Sequence, residues 1–101
     1  MSQDTDGLAA AIAALKPEIR QMLVEDLPLD RQASEQAFAA GRWGQLREQV
    51  HRVKGSASFC HLEALRDACA VIEQKVAADT PPDISDMEHF TREIDAVLAA
   101  L

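Results

Sequence analysis

Apolar residues recur at Leu62, Leu65, Cys69, Ile72 and Val76, in steps of three and four, and that period places all five on one side of an α-helix. A strand would need strict alternation. The same period runs through Leu46, Val50, Val53, Ala57 and Cys60, and again through Met87, Phe90, Ile94, Val97, Leu98 and Leu101. Four glycines and four prolines stand at separated places, not in the regular turns that a sandwich or barrel requires. Aromatic residues are three phenylalanines and one tryptophan, while alanine, leucine, glutamate, glutamine and arginine abound. The chain reads as all-α. Its 101 residues suffice for one core and one domain spanning 1–101, and are too few for a catalytic cleft between domains.

Turn chemistry marks the boundaries. Asp4, Thr5 or Asp6 can cap a short first helix bearing Leu8, Ala11, Ile12 and Leu15, which ends before Lys16 and Pro17. Pro17 suits the first turn of a second helix with Ile19, Met22, Leu23 and Leu27 inward. Pro28 then kinks that helix or forces a restart after Asp26, and a restart is the expectation. Leu29, Ala33, Ala37 and Phe38 carry the apolar face on to Gly41, a natural stop. The third helix runs from about Trp43 to Cys60 and loosens between Ser58 and His61. The fourth ends firmly at Asp79-Thr80-Pro81-Pro82, and Asp83 or Ser85 caps the fifth. Short connections favour antiparallel neighbours, hence an up-down four-helix bundle with an additional short N-terminal helix.

On the third helix, His51 lies about 140° from the apolar row at 100° per residue, so its imidazole faces solvent. Arg47, Lys54, Gly55 and Ser58 share that polar side. The chain as a whole carries a formal charge of −7, which disfavours nucleic acid as a partner. Yet Arg42, Arg47, Arg52 and Lys54 are four of the ten cationic residues, and between Gly41 and Gly55 only Glu48 opposes them. The sign reverses around His51, which would steer an acidic protein surface into place. Gly55 costs an exposed helix roughly 0.5 to 1 kcal/mol relative to alanine, which is explained either by the helix beginning to end there or by the need for bare space beside the ring.

The run His51-Arg52-Val53-Lys54-Gly55-Ser56-Ala57 matches His-x-x-Lys-Gly-[Ser/Ala]-[Ser/Ala] without a gap, followed by Leu62, Leu65, Cys69, Ile72 and a closing Glu73. This stretch resembles the histidine-containing phosphotransfer (HPt) domain of bacterial two-component phosphorelays, with features similar to the C-terminal modules of hybrid sensor kinases. The resemblance implies that His51 accepts a phosphoryl group from a receiver-domain phosphoaspartate and passes it to a response-regulator aspartate. Around that ring, Lys54 one turn away is the expected phosphate charge balance, Gly55 at i+4 gives steric access, and Arg47, Arg52 and Ser58 are the expected partner contacts. The partners that the resemblance implies are receiver domains, which would bring the acidic pocket and Mg²⁺; no intrinsic cofactor is expected, and the domain is expected to be a monomer. His61 departs from the pattern, standing where the family usually has glycine.

A nucleophilic role suits histidine, because an ordinary imidazole titrates near pH 6.5 and keeps a free nitrogen at neutral pH. No glycine-rich nucleotide pocket is visible, so the chain is expected to be a relay intermediate and not an enzyme with autokinase activity. Cys60 and Cys69 lack a CxxC companion and fall on apolar rows, which reads as buried reduced thiols and a cytoplasmic setting. No basic leader and no apolar run near 20 residues is present, so no membrane contact is expected. Two other readings stand beside the relay: a bundle that serves only as an adaptor, and a metal module built on His51, His61 and Cys60. Against the metal, Cys60 faces the core while His51 does not. His61 and His89 read as surface residues, and Phe38, Trp43, Phe59 and Phe90 as core or groove rim.

Overall fold

A computed structural model describes residues 3–101, with side chains from Gly7 onward. Five helices follow one another: α1 (Gln3–Ala13), α2 (Pro17–Ala39), α3 (Trp43–Phe59), α4 (Glu63–Ala77) and α5 (Ile84–Ala100). Helix α2 packs on α3, α3 on α4, α4 on α5, and α5 returns to α2. Short connections make these neighbours antiparallel, so the four close into the expected up-down bundle, with α1 laid against α5. Helix α1 already includes Asp4, Thr5 and Asp6, which were expected to precede it as caps; their side chains lie outside the described residues.

The periodic rows read from the sequence are the core. Leu46, Val50, Val53 and Ala57 of α3 meet Leu65, Cys69 and Ile72 of α4 and Met87, Phe90, Ile94 and Val97 of α5. Each fully buried side chain of this size contributes about 1.5 to 3 kcal/mol. Asp83 accepts from the Asp86 backbone N–H at 3.0 Å and its own N–H donates to the Asp86 carboxylate at 2.9 Å, the reciprocal cap that starts α5. Lys75 Nζ reaches Asp86 Oδ2 at 2.6 Å, so the end of α4 is tied to the start of α5. At the C-terminus, Arg20 donates to the Leu101 carbonyl at 3.2 Å, and Leu98 and Leu101 pack on the core.

Helix α2 departs from the expectation, since it runs unbroken through Pro28 instead of restarting after Asp26. Proline deletes one backbone hydrogen bond and costs roughly 3 kcal/mol locally. The buried row of Leu23, Leu27, Asp30, Ser34 and Ala37 extends to both sides of it, and this packing outweighs the local cost. The same row corrects the inward face. Leu29 is 65% exposed, and Asp30 and Ser34 take the buried positions instead. Ser34 satisfies its hydroxyl by donating to the Asp30 carbonyl at 2.8 Å.

Three helices end in the same way. In α3, the Leu62 N–H reaches the Ala57 carbonyl at 2.8 Å and the His61 N–H reaches Ser58 at 3.3 Å, with His61 at φ 59°. Gly41 (φ 67°) and Asp79 (φ 57°) close α2 and α4 with the same pair of bonds. The position of His61 therefore demands the left-handed conformation that glycine adopts freely. We expect His61→Gly to raise stability by up to about 1 kcal/mol, read as a melting temperature up to roughly 4 to 8 °C higher.

Candidate functional site

Four buried residues of α3, Leu46, Val50, Val53 and Ala57, fix its rotation and turn His51 outward, where its side chain is 73% exposed. The ring does not stand alone. Its Nδ1 lies 2.8 Å from Oε1 of Glu73, on α4, and the other oxygen of that carboxylate accepts from Lys54 Nζ at 3.2 Å. Glu73 follows the fully buried Ile72 and is itself only 15% exposed, so the packing of α4 sets the carboxylate in place. A carboxylate can only accept, so in the neutral ring the proton sits on Nδ1 and the lone pair on Nε2. Lys54 is half-buried over this group, not freely exposed as the sequence suggested.

On the other flank, Arg52 Nη1 stands 3.8 Å from Oδ1 of Asp30 on α2. Burial raises the Asp30 carboxyl above its ordinary range, Arg52 draws it back down, and Asp26 adds to the rise. Two of the four clustered cations are thus already faced by carboxylates from neighbouring helices, which tempers the positive field read from the local sequence. Arg42 and Arg47 are exposed and make no ion pair among the described residues. Gly55 is well inside α3, which continues four residues to Phe59, so it does not begin the helix end. A Cβ built there would meet nothing within 4 Å. Ser58 is exposed and Ser56 half-buried.

The aromatic residues divide. Phe90 is core, and Phe38 and Trp43 pack edge to face at 5.8 Å, partly buried. Phe59 is not core, being 71% exposed. Cys60 and Cys69 are free and buried; burial pushes both thiols up, Cys69 to about 12, which keeps them protonated and unreactive. Among the described residues no three His, Cys, Asp or Glu side chains gather as a metal site. His61 is exposed at the end of α3, and His89 lies 3.9 Å from Glu93, one turn along α5. No described helix is long and apolar enough to cross a membrane.

The arrangement offers a solvent-facing imidazole with a fixed tautomer, a lysine within reach, and bare space one turn along. Glu73 escaped notice as a site residue. The closing Ile72-Glu73 of the sequence pattern was its only signal, since the contact depends on the register of α3 against α4.

The sequence model of the Hpt domain family matches residues 18–100. Sensor histidine kinase GacS of Pseudomonas protegens is 40% identical over 62 residues, covering 61% of this chain and 7% of that protein. Sensor protein GacS of Pseudomonas syringae pv. syringae is 34% identical over 74 residues, covering 73% of this chain and 8% of that protein. The chain thus spans less than a tenth of the length of these relatives. No solved structure matches it significantly. The family match takes in four of the five helices and the whole of the His51 site, and the chain belongs to the Hpt domain family.

Proposed function

We propose that His51 is the phosphoacceptor of a phosphorelay, taking a phosphoryl group from the phosphoaspartate of one receiver domain and giving it to the aspartate of another. The observation that carries this reading is the exposed ring whose Nδ1 is held by Glu73. Nε2 keeps its lone pair and attacks phosphorus in line. The bond from phosphorus to the aspartyl oxygen breaks, the carboxylate leaves, and the Nε2–P bond forms. The ring then bears positive charge, and Glu73 stabilises it through the Nδ1 proton. Lys54 turns from Glu73 to the phosphoryl oxygens, where its ammonium acts as a point charge. Arg47 and Arg52 add attraction at longer range, Ser58 lies under the docked partner, and Gly55 leaves room for it. The partner brings the acidic pocket and its Mg²⁺.

The chain supplies no kinase activity in this scheme and acts as a monomeric module in the cytoplasm, a setting supported by its two free, buried thiols. Its relatives are sensor kinases, which supports a place within or beside a hybrid kinase. The test is discharge of phosphorylated receiver domains onto the purified chain, with the acid-labile label mapped by mass spectrometry. A label on any residue but His51 would overturn the assignment. Lys54→Ala should slow transfer about 10- to 100-fold, the equivalent of one hydrogen bond to a charged group. Its melting temperature should change little, because half-exposed ion pairs contribute at most about 1 kcal/mol. An unchanged transfer rate would remove Lys54 from the chemistry.

A further inference from the structure

Phe59 spends its side chain on solvent while fully buried positions lie one residue away at Cys60 and two away at Ala57. It stands two turns and about 12 Å beyond His51 along α3. Between them is Gly55, over which the space is open. At 100° per residue the row from His51 through Gly55 to Phe59 drifts by roughly 80° in all. Arg52 lies at nearly the same angle from His51 as Phe59 does, and Arg52 reaches Asp30 of α2. Phe59 therefore leans to the α2 side. On α2, Arg31 pairs with Asp95 of α5, so Leu29, on the opposite side of Asp30, looks towards α3. Ala33, one turn further on, lines a cleft with Gln49 of α3, which places this row along the same groove. Leu29 and Phe59 are the two most exposed large apolar side chains among the described residues, and they flank His51 and Gly55 on one side.

The α4 side is different. There Glu73 and the lysine it holds close off the ring, and a carboxylate on that flank repels an acidic pocket. Resting on the relay reading above, we propose that Phe59, with Leu29, is the apolar anchor that seats a receiver domain over the α2 side of His51. The receiver presents to it an apolar helix face beside its acidic pocket. Continuity with the phosphoacceptor identifies the occupant, because whatever exchanges a phosphoryl group with His51 must close over it. An interface of ordinary size covers about 800 Å² per partner, a disc of roughly 16 Å radius, so a receiver centred on the ring reaches Phe59.

The experiment uses two phosphodonors. A receiver domain, chosen because it discharges onto the wild-type chain, reports docking and chemistry together. Phosphoramidate reports chemistry alone: Nε2 attacks phosphorus, the P–N bond breaks and ammonia leaves. Phe59→Ala should raise KM for the phosphorylated receiver about 10-fold or more with little change in kcat, and Leu29→Ala should act in the same direction. Phe59→Leu should recover much of the loss. Ile84→Ala, which removes an exposed apolar side chain from α5, should leave the receiver reaction as it was. The loss should be confined to the receiver route, with phosphoramidate labelling of His51 intact. Normal receiver KM in Phe59→Ala, equal losses with both donors, or a concentration-dependent dimer that the substitution dissolves would each overturn the anchor while leaving His51 as acceptor. Failure of the wild-type chain to label at His51 with either donor would overturn both.

Discussion

His51→Gln should lose phosphoryl acceptance by more than a thousandfold, to the background of the assay, with its fold and melting temperature unchanged. Glutamine keeps the helix and can still accept or donate hydrogen bonds, but its amide nitrogen has no available lone pair to attack phosphorus. The side chain is 73% exposed, so exchanging it touches no core contact, and a stability change within about 0.5 kcal/mol is expected. His61 and His89 serve as internal controls. Neither has a lysine and a buried carboxylate arranged about its ring, and neither should take over the label. On the relay reading, the wild-type chain given ATP and Mg²⁺ without a receiver should stay unlabelled. Zinc binding lost in His51→Gln would instead favour a metal module, and undiminished labelling would remove the imidazole from the chemistry.

The rows of α3, α4 and α5 were legible because each keeps its period for four turns with little interruption, and because Gly41, Pro81 with Pro82, and Asp83 punctuate them chemically. His51 was legible for the same reason: the phase of the buried row decides which way the ring points. Helix α2 was harder. Its inward row contains Asp30 and Ser34 where Leu29 and Ala33 offered a more apolar choice, and its local propensity at Pro28 opposed the packing that wins. Glu73 and Asp30 belong to the site through distance in space, not in sequence. The first is 22 residues from His51, and only the register of two packed helices brings their side chains to 2.8 Å. Phe59 lies about 140° from the buried row of α3, on the opposite side from His51, so the period turns it outward, and only the usual preference of an aromatic ring for burial argued against that.

Phe90→Ala should destabilise the bundle by about 3 to 5 kcal/mol, a large part of the 5 to 15 kcal/mol that domains of this kind possess. Phe90 is wholly buried on α5, and it belongs to the one core cluster that α2, α3 and α4 also build. Its removal leaves a hole that the surrounding helices can only partly close, so both lost transfer energy and lost contacts contribute. The melting temperature should fall by roughly 12 °C or more. The reacting groups, however, are held between α3 and α4, which pack directly on each other. Well below the new midpoint, the variant should therefore take phosphate onto His51 from phosphoramidate at close to the wild-type rate, and lose that ability along the same curve on which its helices melt. Acceptance that fails while the helices remain folded would mean that α5 sets the geometry of the ring, contrary to the arrangement described for His51, Glu73 and Lys54.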